Sequence, residues 1–207
     1  MKRLLFLSAL LLFMVSLTSH GQEMPRGLRA FRDVCVKAKD AYSKHDAGAL
    51  SRCITVMDSL DEKEVFGELH CEPMQPGTEV APDDFHFTPE WFDDQLMKWV
   101  AKDRYQPHMA HRGENILLYH VKILAHSTAS FQLSGMGLIS MVVIAHDDTD
   151  IQIGVEQPAC NHHYQSGRTA KRGCQEHSWM ALSDSSDIVL SITNPADHDI
   201  VCVIASN

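Results

Sequence analysis

Two short stretches carry residue types that could do chemistry. The first is Cys160-Asn161-His162-His163, followed by Cys174-Gln175-Glu176-His177. Thiolate sulfur and imidazole nitrogen are zinc ligands, so Cys160, His162, Cys174 and His177 could fill a four-coordinate site. The spacings Cys-x-His and Cys-x-x-His match no specific structural-zinc pattern, and Arg168, Lys171 and Arg172 between them repel a cation. A disulfide from Cys160 to Cys174, stapling a long polar loop, is therefore the preferred expectation, with zinc the alternative. On the chain-entropy account such a bond stabilises by about 3 kcal/mol for a loop of this size.

The second stretch is Asp147-Asp148-Thr149-Asp150. Carboxylate oxygens are hard ligands suited to Ca²⁺, which makes Asp147, Asp148 and Asp150 a candidate calcium site. Aspartate is equally a turn former, because its side chain bonds its own backbone, and the full EF-hand pattern is absent. No Gly-x-Ser-x-Gly elbow, phosphate-cradling glycine loop or His-Glu-x-x-His pair occurs, so no residue is assigned a catalytic role. Trp91, Trp99 and Trp179 are candidates for a sugar platform, although tryptophan at such positions commonly belongs to a core.

The compartment follows from the N-terminus and the cysteines. Lys2 and Arg3, an apolar run over residues 4–17 and a small-residue site at Ser19-His20-Gly21 read as a secretory signal ending at residue 21. The run is shorter than the roughly 20 residues needed to span a bilayer, so no membrane span is expected. All six cysteines follow it. An even number in an oxidising, secreted or periplasmic setting favours disulfides. Cys35 and Cys53 are the second expected pair, while the pairing of Cys71 and Cys202 stays open. The formal charge of −9 becomes −11 without Lys2 and Arg3. Such a balance excludes nucleic acid as a partner, which demands a cationic footprint.

Residues 25–43 place Leu28, Phe31, Val34, Cys35, Ala38 and Tyr42 at helical spacing. His45-Asp46 breaks the pattern, and Asp46 caps a second helix with Leu50, Cys53, Ile54 and Met57 on its stripe. Residues 22–60 thus form a helical hairpin with Cys35 and Cys53 facing each other. Residues 61–112 connect, with a short strand at 64–72 and a helix capped by Thr88 before Pro89 that presents Phe92, Leu96 and Trp99, and residues 105–113 read as a linker. From residue 113 to 207 the pattern is β. Leu117, Tyr119, Val121 and Ile123 alternate with polar residues, and short strands are expected at 131–134, 179–182, 188–193 and 200–205, the last two paired through a turn at 194–199. Residues 137–156 read as a hairpin of strand, acidic turn and strand. Their first run is apolar on both parities, which fits a strand buried on both faces. The predicted fold is α+β: a helical hairpin and a further helix packed on a C-terminal antiparallel, jelly-roll-like β-sandwich.

The order of apolar strand, Asp148-Thr149-Asp150-Ile151-Gln152-Ile153, cysteine-flanked loop and closing strand pair resembles bacterial pre-peptidase C-terminal domains. The resemblance covers residues 131–207. It implies a small β-sandwich of the kind appended to secreted enzymes, with calcium held at a Gly-Asp-x-Asp-Leu strand. Asp148 and Asp150 match its two acids, Asp147 stands at its glycine, and Ser186-Asp187-Ile188 stands where the family has Gly-x-Tyr. The expected function is an exported, non-catalytic binding or accessory module for protein or glycan. The alternative is a metal-dependent or hydrolytic secreted enzyme.

Overall fold

A computed structural model describes residues 24–58, 60, 70–76, 78, 80, 89–99, 117–167 and 173–206. The expectations for the leader, for a strand over 64–69, for Thr88 as a cap and for a linker at 105–113 concern residues outside this set.

The helical spacing becomes helix α1 (Arg26–Ser43) and helix α2 (Ala47–Asp58). Leu28, Phe31, Val34, Cys35 and Ala38 on α1 are buried, as are Leu50, Cys53, Ile54 and Met57 on α2. His45 turns the chain in the left-handed region, at φ 54°. Asp46 then caps α2: its Oδ1 accepts the Ala49 N–H at 2.9 Å. That bond satisfies one of the N–H groups that the first helical turn cannot pair internally. Asp46→Ala should accordingly cost about 1 kcal/mol in chemical denaturation, and Asp46→Asn almost nothing, since either side chain supplies the acceptor. Equal losses in the two variants would count against the cap. Helix α3 (Pro89–Trp99) adds fully buried Phe92 and Leu96 to the same apolar cluster.

Seven strands are described: β1 (His70–Pro73), β2 (Leu117–Ile123), β3 (Ser127–Ala145), β4 (Gln152–Gln157), β5 (His162–Gln165), β6 (Cys174–Asn194) and β7 (Ile200–Ser206). All pairings among them are antiparallel, in the order β2-β7-β3-β6-β4-β5, with β1 pairing the first half of β3 on the flank away from β6. The two long strands β3 and β6 run side by side and bend where their register shifts, between Leu133 and Gly137. Gly137 lies at φ 85°, which a residue without Cβ adopts at little cost. Past the bend each long strand enters a second layer. One layer holds β2, β7, the end of β3 and the start of β6; the other holds β1, the start of β3, the end of β6, β4 and β5.

Between the layers lies one apolar cluster that includes Ile123, Phe131, Ile139, Val143, Val155, Leu190 and Ile204. The first layer is apolar on its outer face too, where Val142, Ile144, Val203 and Ala205 meet the helices. Two ion pairs reinforce that contact: Arg32 of α1 with Glu176 of β6, and Lys39 with Asp148. The fold is therefore α+β, with helices packed on an antiparallel β-sandwich. Among the described residues, no helix is long and apolar enough to cross a membrane.

Three expectations change. Residues 137–156 are no hairpin: β3 pairs with β1, β6 and β7, and β4 with β5 and β6, so the acidic turn carries the chain from one layer to the other. The same holds for residues 194–199, since β6 and β7 do not pair and β7 lies between β2 and β3. The short strands at 131–134, 179–182 and 188–193 prove to be parts of β3 and β6. The both-parity burial read from residues 138–145 is observed, because this half-strand has the sandwich interior on one face and helices on the other.

Candidate functional site

Strand geometry decides the fate of the Cys/His stretch. Side chains alternate along a strand, so residues an odd number apart leave opposite faces. Cys174 and His177 are three apart on β6. Cys174 is buried under the helices in one cluster with Cys35 and Cys53, whereas His177 and Trp179 face the sandwich interior. The four-ligand zinc set of Cys160, His162, Cys174 and His177 is thereby divided, the Cys160 side chain lying outside the described residues.

Cys35 and Cys53 share the cluster beneath the helices without the expected bond between them, and Cys71 and Cys202 are thiols as well. The expected Cys160–Cys174 bond involves a side chain outside the described residues. Burial pushes the Cys35 thiol well up, with Cys174 and then Cys53 adding to the effect, and raises Cys71 to about 12. Thiols held protonated in this way are poor nucleophiles.

The acidic turn is engaged by the protein's own cations. Asp147 Oδ1 accepts the Thr149 N–H at 3.0 Å, the local bond that makes aspartate a turn residue, and Asp147 Oδ2 lies 2.8 Å from His198 Nε2. Partial burial would raise the Asp147 carboxyl, but the bonds from His198 and Thr149 hold it below the usual range. Those to Asp147 and then Asp197 raise His198. Lys39, itself buried, donates to Ala145 O at 3.0 Å and to Asp147 O, and its ammonium lies 3.2 Å from Asp148 Oδ1. Gly173, at φ 65°, packs so closely beneath the turn that a Cβ would meet Thr149 O at 2.7 Å. Asp150 is exposed. The three carboxylates do not converge: among the described residues, no group of three His, Cys, Asp or Glu is placed to hold a metal. The Lys39 ammonium thus lies against the turn, on the Asp148 carboxylate and two backbone carbonyls.

What the fold does bring together is a ring cluster on the open side of the sandwich, where β5 of one layer faces the start of β6 in the other. Strand β5 was not legible in the sequence, which reads there as a polar loop. Its residues His162 and Tyr164 turn inward and are half-buried. Tyr164 stacks on His177, with centroids 3.7 Å apart and planes 10° from parallel. Trp179 lies 5.4 Å from His177 and 5.6 Å from His162, and its Nε1–H donates to the buried Gln157 Oε1 at 3.1 Å. The Nε2 atoms of His162 and His177 are 2.9 Å apart. Burial, then the neighbouring His162, pushes His177 down to about 4; burial and then His163 lower His162. Both imidazoles are therefore neutral at pH 7.

A second ring group stands on the helical layer. Tyr42 of α1 lies with its centroid 5.2 Å from both Trp91 and Trp99 of α3, and His45 lies 5.0 Å from Trp99. Tyr42 and His45 are exposed and the two tryptophans half-buried, packed against the helical core. Of the three tryptophans considered as a platform, the fold thus joins Trp91 and Trp99 and puts Trp179 elsewhere, 4% exposed. Tyr42 was read only as part of the apolar stripe of α1; its place at the C-terminal end of that stripe is what frees it.

No family model matches the chain, and no curated protein matches it. Solved structures similar to it include TmCBM61 in complex with beta-1,4-galactotriose, at 13% identity over 69% of this chain and 90% of that one, with a TM-score of 0.34. Another is the Yersinia pseudotuberculosis-derived mitogen, at 12% identity over 45% and 85%, TM-score 0.32. A third is Peruvianin-I, a cysteine peptidase from Thevetia peruviana latex, at 12% identity over 44% of this chain, TM-score 0.29. The match spans half of that peptidase's length. Likenesses this loose leave the function to be read from the chain's own residues.

Proposed function

We propose that this protein is a non-catalytic binding module for a neutral glycan, which it holds on the ring row Trp91, Tyr42, Trp99 and His45. The observation that carries the reading is a contrast within one helical layer. Phe31 and Phe92 are buried, whereas the two tryptophans and Tyr42, whose rings have polar handles, keep part of their surface in solvent with neighbouring centroids 5.0–5.2 Å apart. An aromatic face carries negative quadrupole charge, which suits the polarised C–H groups on one side of a sugar ring. The tyrosine hydroxyl, the indole N–H groups and the imidazole nitrogens supply donors and acceptors for sugar hydroxyls. A formal charge of −9 disfavours anionic glycans and leaves neutral ones. The reading goes with an exported location, secreted or periplasmic, which rests on the leader-like sequence of residues 1–21.

Rings of this kind also close the rim of a helical core, and one experiment separates the two uses. The full chain is titrated calorimetrically with a panel of neutral oligosaccharides, alongside Tyr42→Ala and Trp99→Ala. Base-stacking measurements put one lost ring contact at about 1–3 kcal/mol, so each variant should lose at least about fivefold in affinity for the bound sugar. Both should keep the far-ultraviolet dichroism of the parent. Binding that survives both changes, or a panel that is inert throughout, would sink the glycan reading and leave a protein ligand as the competing one.

A further inference from the structure

We propose that His162 and His177 form a two-imidazole site for a divalent transition-metal ion of the zinc class, bridging the two layers on the open side of the sandwich. The pair is set head to head. Its Nε2 atoms are 2.9 Å apart while the ring centroids are 5.1 Å apart and the planes within 21°, so each ring aims Nε2 along the line to the other. As it stands this is a hydrogen bond, in which one neutral ring donates and the other accepts. A metal ion takes the place of the shared proton, once the donor ring has moved that proton to Nδ1. Both rings then ligate through Nε2 in the neutral form that metal binding requires.

The dimensions allow it. Zinc–nitrogen bonds of about 2.05 Å at a tetrahedral angle separate two ligating nitrogens by about 3.4 Å, roughly half an ångström more than here. The half that must give is His162. It sits on a four-residue strand at the edge of its layer, paired among the described residues with β4. The half that stays is His177, its plane fixed by Tyr164 stacked at 3.7 Å and by Trp179, which is anchored on Gln157. Among the described residues no third His, Cys, Asp or Glu joins them, and water can complete the coordination of such a two-imidazole site. Imidazole pairs suit zinc, copper and nickel, and discriminate against the oxygen-loving Mg²⁺ and Ca²⁺.

The test uses the full chain, freed of metal by chelator and titrated with ZnCl₂ at about pH 7.5. Calorimetry reads stoichiometry, and ¹⁵N-edited imidazole spectra of the unmutated protein read which nitrogens respond. Expected is one zinc site at which the Nε2 resonances of His162 and His177 move together, with no response to Mg²⁺. His162→Ala and His177→Ala should each weaken zinc by more than about tenfold, since even losing an outer-shell partner costs about 10–100-fold. His163→Ala, altering the exposed neighbour that faces Glu156, should leave it unchanged. Because the spectra are taken on the parent protein, a variant that fails to fold does not decide the matter. No zinc uptake at millimolar metal, uptake that leaves both Nε2 resonances in place, or a loss confined to His163→Ala would each overturn the proposal.

Discussion

Phe131→Ala should lower the stability of the folded protein by about 3–5 kcal/mol, the range for emptying a buried aromatic site. Phe131 has no exposed surface and lies on the half of β3 that serves the second layer, opposite Pro73 of β1 and Leu190 of β6. Its ring points into the cluster shared by both layers, so truncation removes contacts to two sheets at once. The surrounding strands are tied by ladder hydrogen bonds and collapse only in part, which adds a cavity cost to the lost burial. In a domain of this size the melting temperature should fall by roughly 10 °C. Met180, on the outer face of β6 and 43% exposed, provides the control, because Met180→Ala should stay within about 0.5 kcal/mol of the parent. Urea denaturation of both variants checks the contrast. A loss below about 1 kcal/mol for Phe131→Ala would mean that the layers do not close over it.

The second large effect is a loss of stability in mild acid that passes through one residue. His177 sits at about 4 in the folded state, because burial and then His162 disfavour its charged form, against about 6.5 in an unfolded chain. Between these values the unfolded state binds the proton and the folded state does not, so stability rises with pH. The contribution is complete above about pH 6.5, drains away as pH falls through that value, and is gone near pH 4. Its full size, discounted for the solvent that still reaches the ring, is on the order of 1–2 kcal/mol. His162, also lowered, acts in the same direction, while His198, raised by Asp147 and Asp197, acts against it. His177→Phe keeps a flat ring against Tyr164 and removes the titration. Unfolding free energies measured from about pH 7.5 down to 4.5 should therefore fall less steeply in His177→Phe than in the parent, whatever the offset between them. Parallel slopes would show that His177 does not carry the effect.

How much of this was legible beforehand differs from element to element. The helical hairpin was, because its determinants are local: the apolar stripes of α1 and α2 and the bond from Asp46 to Ala49 depend on residues three and four apart. The alternation in β2 was legible for the same reason, and Tyr119, Val121 and Ile123 do face the core. The both-parity apolar run of residues 138–145 announced a strand covered on two sides, and the sandwich and the helices are the two covers.

Pairing partners were not legible, since any apolar strand offers the same backbone donors and acceptors. On sequence distance alone the acidic turn has the form of a hairpin tip. The structure decides otherwise because β3 and β6, whose pairing shifts register ahead of Gly137 of β3, serve both layers and leave β4 and β7 on opposite sides of them. The same decision made the ring cluster. Residues 160–177 show cysteines and histidines in one short stretch, and nothing local says which of them share a face. Once residues from Cys174 onward are a strand, parity sends Cys174 to the helices and His177 to the interior. Closing the two layers then sets His177 against His162 and Tyr164 from a strand that the sequence hides. By itself the sequence determined which residues could ligate, stack or cap, because those are properties of side chains. Which of them meet was decided by the tertiary structure alone, because it depends on how two bent strands divide one sheet into two layers.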